Sequence, residues 1–365
     1  MLGRKDIATS DKGGRRIMAQ RILIASSRKE AGKTSIIIGL AKALMKEKSI
    51  AYFKPLGNRV KYKKKKIWDF DSELITTVLG ISNPPEELTL GFDYSKLRLV
   101  FNEDELVQKL KEMADQIEAD KDILLIEGSE NLVAGSSLSM DPVNLSKLLA
   151  AEILLIVNGS IPNDAVDDIA NFSKVVAREN INVKGIIITQ IQNIENFKTS
   201  YIALIDKFGF PILGLIPRDE TLTQYSIEYL VETISGKVLA GEEGLDKLVE
   251  HTLVGAMSAA QVVDRPVWTL KNKLVITPGD RSDMIMAALE SSTAGIVLTN
   301  NIIPPDQIIL SKANLKKIPL ILVPHDTFTT AKMIDDMEVL FTKNENLKVE
   351  LLEKLIKENV DLSKF

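Results

Sequence analysis

The segment SSRKEAGKTS, residues 26–35, decides the fold predicted for this chain. It follows the apolar run RILIA and precedes the amphipathic run IIIGLAKALMKE, an order that predicts a strand, a tight loop and a helix. Gly32, Lys33 and Thr34 match the end of the pattern GxxxxGKS/T, in which backbone N–H groups and a helix N-terminus face phosphate oxygens. Ser27 replaces the first glycine of that pattern. An ordinary strand–loop–helix connection is the alternative, but this context favours a nucleotide-binding loop.

Short β-branched runs alternate with helical patterns up to about residue 220. The runs RILIAS, SIAYFK, DILLIEG, EILLIVNG, KGIIITQ and FPILGLIP are almost continuously apolar, which is typical of parallel strands covered on both faces. Amphipathic segments such as EDELVQKLKEMADQIE separate them. The alternation predicts an α/β fold with a doubly wound, mostly parallel sheet of the P-loop type.

A second alternating series follows, with KLVITPGD, AGIVLTN and PLILVPHD as its strands. It predicts a smaller α/β domain. We expect a disordered leader over residues 1–17, a P-loop domain over 18–235, the smaller domain over 236–342 and a C-terminal helical tail over 343–365.

The composition excludes several kinds of site and partner. The chain has no cysteine and two histidines, so thiolate sites and histidine-rich metal sites are excluded, and a metal must have oxygen ligands, which favours Mg²⁺. A net charge of −4 gives no general attraction to nucleic acid or anionic membranes. No apolar stretch approaches the roughly 20 residues of a membrane span, and the N-terminus lacks a signal-peptide pattern. We therefore expect a cytoplasmic protein with neither membrane nor nucleic acid as a partner.

Charged residues follow the predicted strands where ligands bind in open α/β sheets. Glu127 ends the run DILLIEG, and an acid on a buried strand needs a cation. Asp69 and Asp71 follow the second strand; Asp71 is the predicted metal-associated residue, and a helix N-cap is the alternative for one of the two. Lys54 ends the second strand, where it could point towards a γ-phosphate; a solvated lysine is the alternative.

Three features resemble a known family: the loop Ser27–Thr34, the pair Lys54-Pro55 and the segment LLIEGSENLVAGSSLSMDPVNLSKLL. They resemble the P-loop domain of dethiobiotin synthetase and, more closely, the N-terminal region of long-form phosphotransacetylase, in which a DRTGG domain follows. The runs ITPGDRSDMIMAAL and PLILVPHDTFTTAKMI resemble that second domain. The resemblance leaves out the acyltransferase domain, so we do not expect phosphotransacetylase activity from this chain by itself.

The resemblance implies a role for individual residues. Lys33 and Thr34 would hold phosphate and Mg²⁺, and Lys54 would act on a phosphorylated intermediate, which makes Lys33 and Lys54 the candidate catalytic residues. The implied metal set is Thr34, Asp71 and Glu127. ATP is the expected nucleotide, and the implied nucleotide-binding set is Ser27, Arg28, Glu30, Ala31, Gly32, Lys33, Thr34, Ser35, Thr189 and Pro217.

The sequence departs from the family pattern at the substrate and base positions. Asn58 replaces the substrate-loop serine, and Thr189 stands where a base-selecting asparagine is usual. Neither the biotin substrate nor selectivity for adenine follows from these residues. Arg28 stands where related dimeric ATPases carry a lysine that reaches across the dimer, which predicts a homodimer.

In the second domain, Asp280 and Arg281 keep the acid–base pair of DRTGG, whereas Asp283 and Met284 replace its glycines. The pair is the candidate ligand site of this domain. Related domains are associated with regulation and dimer contacts, so a partner enzyme or a small metabolite is the expected partner there.

Three other features have less specific interpretations. The basic run NRVKYKKKKIWD, residues 58–69, predicts a mobile, solvated loop; a lid beside the γ-phosphate or a grip on an acidic ligand is the alternative. His251 is assigned to an amphipathic helix. His325 ends a strand and is expected to be hydrogen-bonded structure.

Two functions are compatible with these features. The favoured one is a regulatory or ligand-sensing protein that binds Mg–nucleotide with weak or no turnover. The alternative is an enzyme: an ATP-dependent ligase of the dethiobiotin synthetase or cobyrinic acid amidase-like class, acting through a phosphorylated carboxylate or carbamate, or a slow NTPase.

Overall fold

The structure is a computed structural model that describes residues 19–29, 31–63, 65–304, 306–337, 339, 341 and 345–365. The predicted leader and Glu30 lie outside these residues. The chain forms two compact units, residues 1–217 with 352–365 and residues 218–351. The division after Pro217 precedes the sequence-based boundary at residue 235, which stays a prediction.

The first unit alternates strands and helices, as the apolar runs predict. Its strands are β1 (Gln20–Ser26), β2 (Ile50–Phe53), β3 (Val60–Lys63), β4 (Lys66–Asp69), β5 (Ile123–Glu127), β6 (Glu152–Asn158), β7 (Val183–Ile191) and β8 (Ile212–Pro217). Its helices are α1 (Lys33–Leu44), α2 (Phe70–Leu79), α3 (Tyr94–Val100), α4 (Glu103–Ile117), α5 (Pro142–Leu148), α6 (Pro162–Glu179) and α7 (Ile194–Ile205).

Six of these strands form one parallel sheet in the order β2-β5-β1-β6-β7-β8. All residues of β2 and β5, and the inner residues of β1 and β6, are buried, which is why these strands are nearly continuous hydrophobic runs. The strands β5 and β6 pair with opposite edges of β1, so the winding direction reverses there. Such a reversal places a ligand crevice at the carboxyl end of β1.

The basic run that was expected to be a mobile loop contains a two-stranded antiparallel hairpin instead. The strands β3 and β4 pair from Val60 with Asp69 to Lys63 with Lys66. Charge repulsion did not prevent strand formation, because β-branched and aromatic residues alternate with the lysines. We call residues 60–69 the lysine hairpin.

The second unit contains its own sheet. The strands of this unit are β9 (Tyr225–Ser226), β10 (Lys237–Ala240), β11 (Leu248–Val249), β12 (His251–Val254), β13 (Lys273–Pro278), β14 (Thr293–Thr299) and β15 (Leu320–Leu322). Its helices are α8 (Ile227–Thr233), α9 (Ala259–Val262), α10 (Ser282–Leu289), α11 (Gln307–Lys316) and α12 (Thr327–Asp335), and α13 (Asn346–Asn359) begins here and ends in the first unit. The assignment of His251 to a helix is wrong, because it begins the edge strand β12.

The second sheet has the order β10-β15-β14-β13-β12, with β10 antiparallel and the other four strands parallel. Alternate residues of the central strands β13, β14 and β15 enter two hydrophobic clusters; Val275 lies in one and Leu274 in the other. Because both faces are covered, this unit is a second α/β layer structure. The predicted fold class is confirmed for both parts. No described helix is both long and apolar enough to cross a membrane.

The C-terminal part of α13 packs on α1 in the first unit. Gly39 of α1 makes this approach close: a Cβ atom there would lie 2.7 Å from Ile356 Cγ1 and 2.9 Å from the Leu352 carbonyl oxygen. Beyond the helix, Val360 forms a bridge to Gly214 of β8. The chain end is therefore an integral part of the first unit.

Replacing Gly39 with valine is expected to lower the free energy of unfolding by about 1–3 kcal/mol, because the added atoms overpack the contact with α13. Urea denaturation measures the change. The matched control is Ala43→Val, which adds bulk to the same helix at a partly exposed position. Equal unfolding midpoints for the two variants would contradict the packing described here.

Candidate nucleotide-binding site

The predicted phosphate-binding loop joins β1 to α1 at the carboxyl edge of the first sheet. Gly32 precedes α1 with a φ of 91°, and a Cβ atom there would have no neighbour within 4 Å. The positive φ favours glycine, and the open space lets a ligand approach the backbone. The hydroxyl oxygen Ser27 Oγ is buried and has no hydrogen-bond partner among the described residues. A buried polar atom of this kind fits a ligand that supplies the missing partner.

Lys33 begins α1 and lies over this loop. Its Nζ atom donates to Ser26 Oγ at 2.8 Å and to the Glu130 carbonyl oxygen at 3.3 Å. Burial lowers the pKa of Lys33, an effect that Glu127 opposes. Both acceptors are neutral, so the ammonium group is held in place without a carboxylate contact. An anion such as a phosphate would stabilise it.

Thr34, Glu127 and Tyr52 form the next layer of the site. Thr34 Oγ1 donates to Glu127 Oε1 at 3.0 Å, and the Tyr52 hydroxyl donates to Glu127 Oε2 at 2.6 Å. Burial raises the pKa of Glu127, while Lys54 opposes this shift. Both oxygens of the carboxylate are therefore fixed in position at the end of β5.

Lys54 is buried at the end of β2 among three acceptors. Its Nζ atom donates to Asn58 Oδ1 at 2.8 Å, Asp69 Oδ1 at 2.9 Å and Asp71 Oδ2 at 2.5 Å. Burial alone lowers the pKa of Lys54, but the surrounding carboxylates, led by Glu127 and Asp71, outweigh burial and raise it. The side chain is thus a permanent cation inside the site, not the solvated lysine of the alternative interpretation.

Asp69 and Asp71 have different structural roles. Asp69 is the N-cap of α2 and accepts from the backbone N–H groups of Asp71 and Ser72, so the N-cap alternative holds for Asp69. Asp71 also contacts Arg59, whose Nη1 lies 3.0 Å from Asp71 Oδ2. Burial raises the pKa of Asp71, but Lys54 and Arg59 outweigh it and hold the pKa below its ordinary value.

These side chains fit Mg²⁺ only together with further ligands. The described residues contain no group of three or more His, Cys, Asp or Glu side chains able to hold a metal. Thr34, Asp71 and Glu127 supply hydroxyl and carboxylate oxygens, which Mg²⁺ prefers, and Mg²⁺ is commonly held by one or two carboxylates, water and substrate phosphates. A bound nucleotide would supply those phosphates.

The other predicted nucleotide-binding residues have separate environments. Arg28 pairs with Asp164 at 2.7 Å and Asp168 at 2.9 Å on α6 of its own chain. The Thr189 side chain is buried, and its hydroxyl donates to the Ala31 carbonyl oxygen at 2.9 Å. This hydrogen bond holds the loop in position. Ala31 is fully buried, Ser35 lies in the first turn of α1 and Pro217 ends β8.

Four participants are not among the predicted site residues: Ser26, Tyr52, Arg59 and Glu130. Tyr52 had a detectable signal, because it precedes Lys54 by two positions and alternate residues of a strand share a face. Ser26 and Glu130 contribute through contacts between distant segments. No local pattern in the sequence identifies such contacts.

Replacing Tyr52 with phenylalanine is expected to cost about 1–3 kcal/mol of unfolding free energy, because it removes a buried donor from a carboxylate. Urea denaturation checks this value. The control is Tyr62→Phe at an exposed position of the lysine hairpin, where a change below about 0.5 kcal/mol is expected. Identical small effects at both positions would contradict the Tyr52–Glu127 contact.

The predicted ligand pair of the second unit is arranged differently from the motif. Arg281 pairs with Asp283, at 3.0 Å from Nε to Oδ1, and donates to the Met257 carbonyl oxygen at 3.0 Å. The hydrogen bond from Arg281 lowers the pKa of Asp283 to about 2. Asp280 is exposed. The structure therefore links Arg281 to the residue that replaces a glycine of the motif.

The parallel sheet, the loop at the end of β1 and the lysine at the start of α1 define the first unit as a P-loop α/β domain. The chain belongs to the AAA domain family, whose model matches residues 20–226. Residues 229–337 match the DRTGG domain. This order confirms the predicted resemblance to the N-terminal region of long-form phosphotransacetylase.

Known proteins are similar to all or part of this chain. A phosphate acetyltransferase of Synechocystis sp. is 27% identical over 94% of this chain and 51% of its own length, so the chain spans about half the length of that relative. A cobyrinate a,c-diamide synthase of Methanocaldococcus jannaschii is 25% identical over 64% of this chain and 51% of its own length. The septum site-determining protein MinD of Pyrococcus horikoshii OT3, solved with Mg-ADP, is 18% identical, with a TM-score of 0.38 over 56% of this chain and 84% of its own.

Proposed function

We propose that this chain binds a Mg–nucleotide, with ATP the expected one, and acts as a regulatory or ligand-sensing protein with weak or no turnover. The observation that carries the proposal is a pair of groups in the loop that a phosphate would suit. Lys33 is held by neutral oxygens, and Ser27 Oγ is buried without a partner among the described residues. A nucleotide phosphate would complete both, beside the N-terminus of α1.

The state of Lys54 supports weak turnover. A lysine that acts on an acyl-phosphate or carbamate must direct its ammonium group at the reacting atoms. Here Lys54 is engaged by two carboxylates and by Asn58, and Asn58 stands where the resemblance places a substrate-loop serine. The arrangement holds the two carboxylates in place and engages all three N–H donors of Lys54, so none is left for a second substrate.

The second candidate function is an ATP-dependent ligase. The fixed Thr34–Glu127 pair and the retained Asp71 favour it, and the similarity to a cobyrinate a,c-diamide synthase supports it. In that case Lys54 would leave Asp71 when the metal binds and contact the transferring phosphoryl group.

Further parts of the proposal concern assembly and location. We propose that the second unit contacts a partner enzyme or a small metabolite, with Arg281 and Asp280 at the contact, and that the protein is a cytoplasmic homodimer. The ion pairs of Arg28 with α6 engage this side chain within its own chain. A dimer contact through Arg28 would have to replace them.

A nucleotide panel separates the two functions. ATP, GTP, CTP and ADP, each with Mg²⁺, are titrated calorimetrically, and phosphate release is followed in parallel with and without carboxylate or amine substrates. Binding of a triphosphate with little release is the result we expect. Rapid release that a carboxylate or an amine stimulates would contradict the regulatory function and favour the ligase.

A further inference from the structure

Tyr52 lies on β2, beside the strand that ends in the predicted metal carboxylate. In the parallel pairing of β2 with β5, Tyr52 lies opposite Leu125. Alternate residues of a strand share a face, so Glu127, two positions after Leu125, projects from the same face of the sheet as Tyr52. The exposed fraction is 0% for Tyr52 and 3% for Glu127. The phenol of Tyr52 and the carboxylate of Glu127 are therefore buried side by side.

The Tyr52 hydroxyl fixes one of the two oxygens of Glu127. It donates to Oε2 at 2.6 Å, while the Thr34 hydroxyl donates to Oε1 at 3.0 Å. Hydrogen bonds to a charged acceptor are shorter and stronger than those between neutral groups. With a donor at each oxygen, the carboxylate cannot turn about its last side-chain bond without losing one of these hydrogen bonds. It therefore presents a single oxygen, Oε1, towards Thr34 in the first turn of α1.

The same hydrogen bonds orient the hydroxyl of Thr34, which is also a predicted metal ligand. A hydroxyl group has one proton to donate and two lone pairs. Because Thr34 gives its proton to Glu127, the lone pairs of its Oγ1 atom remain available to a cation. Tyr52 bonds the oxygen of Glu127 that Thr34 does not bond. Through this one carboxylate, Tyr52 thus acts on two of the predicted metal ligands.

We propose that Tyr52 is a positioning residue that makes the metal site prefer Mg²⁺ to Ca²⁺. The proposal rests on the proposed function, since it concerns the metal of the same nucleotide site. Mg²⁺ demands a near-ideal octahedral set of ligands, whereas Ca²⁺ accepts a carboxylate through one oxygen or through two, in flexible geometry. A carboxylate that is held at both oxygens and offers only Oε1 suits Mg²⁺. A carboxylate that is free to turn suits Ca²⁺.

Replacing Tyr52 with phenylalanine removes the donor and keeps almost the whole side-chain volume. Glu127 Oε2 then loses the hydrogen bond that holds it away from Thr34, and the carboxylate is able to turn both oxygens towards a cation. The loss of a group that orients a metal ligand typically lowers metal affinity by about 10–100-fold. This loss falls on Mg²⁺, because Ca²⁺ gains the second oxygen that the rotation supplies.

The experiment measures the affinity of the full chain for ATP by calorimetry with saturating Mg²⁺, with saturating Ca²⁺ and with EDTA. The ratio of the dissociation constants with Ca²⁺ and with Mg²⁺ expresses the preference between the two metals. A substitution that only loosens the fold lowers all three affinities together, so the ratio reports on the metal site. The matched control is Tyr225→Phe, which removes the hydroxyl of another buried tyrosine, hydrogen-bonded to Thr252 in the second unit. Thermal unfolding without nucleotide shows whether each variant is folded.

We expect the parent chain to bind ATP more tightly with Mg²⁺ than with Ca²⁺, a result that needs no variant. In Tyr52→Phe the affinity with Mg²⁺ should fall about tenfold, while the affinities with Ca²⁺ and with EDTA should change much less. Tyr225→Phe should match the parent chain under all three conditions. In a Glu127→Gln background, Tyr52→Phe should no longer change the ratio, because no carboxylate remains for Tyr52 to position.

Three results would overturn the proposal. One is a parent chain that binds ATP equally well with both metals, and another is a Tyr52→Phe variant that keeps the ratio of the parent chain. The third is an equal change of the ratio with and without the Glu127 carboxylate, which would give Tyr52 a structural role only. Absence of ATP binding under all three conditions contradicts the proposed function instead. The metal preference is then measured from the shift of the unfolding temperature by Mg²⁺ and by Ca²⁺ alone, and equal shifts, or none, would overturn this inference as well.

Discussion

Replacing Lys54 with methionine is expected to lower the free energy of unfolding by about 3–5 kcal/mol, because it strands buried carboxylates. The ammonium group lies within hydrogen-bond distance of Asp69 and Asp71, and both carboxylates are buried. Methionine keeps much of the side-chain volume, so the loss reports on charge and not on a cavity. Urea denaturation of the first unit, followed by circular dichroism, measures it.

The matched control for this variant is Lys66→Met. Lys66 also forms an ion pair, with Glu86, but its side chain is 67% exposed. A surface pair of this kind contributes about 0–1 kcal/mol. The double variant Lys54→Met, Asp71→Asn should recover part of the stability, since one stranded charge is removed. A Lys54→Met variant no less stable than the Lys66→Met control would contradict the buried cluster.

Replacing Lys33 with alanine is expected to reduce the affinity for ATP by about 100-fold or more, because charge-assisted hydrogen bonds to phosphate contribute roughly 1.5–3 kcal/mol each. Folding should change little, since the two acceptors of Lys33 are neutral oxygens and its loss strands no carboxylate that it contacts. Calorimetric titration with Mg–ATP measures the affinity, and thermal unfolding of the free variant confirms that the fold is retained.

Lys29→Ala is the control for this experiment. Lys29 lies in the same loop and is exposed. Its replacement removes the same charge but keeps the expected contact between Lys33 and the phosphate. An affinity within about threefold of the parent chain is expected, as surface electrostatic effects are screened at physiological salt. A Lys29 variant as weak as the Lys33 variant would mean that general charge, and not the loop geometry, attracts the nucleotide.

The main strands were predictable because parallel strands covered on both faces leave long apolar runs in the sequence. The loop at Gly32–Thr34 was predictable for a related reason, since a tight turn before a helix restricts the residues that fit there. Glu127 and Lys54 followed from their positions at strand ends. Each of these signals is local, so a single sequence is enough to carry it.

The features that were missed depend on contacts between distant segments. The basic run predicts a solvated loop because like charges repel, yet Arg59 contacts Asp69 and Asp71, which lie 10 and 12 positions further along the chain, and these contacts fix the base of the hairpin. His251 was assigned to a helix because its segment is amphipathic, whereas pairing with Lys273 makes it a strand residue. The contact between Gly39 and α13 is not predictable, because no residue near Gly39 in the sequence indicates that α13 packs there.

Binding of ATP in the presence and absence of Mg²⁺ decides whether the loop and the carboxylates form a Mg–nucleotide site. Calorimetry of the full chain is carried out with Mg²⁺ and again with EDTA, at one protein concentration and one ionic strength. We expect a single site per chain, with affinity at least tenfold higher when Mg²⁺ is present, because Thr34, Asp71 and Glu127 would act only through the metal. No heat with ATP, or equal affinity with EDTA, would contradict it.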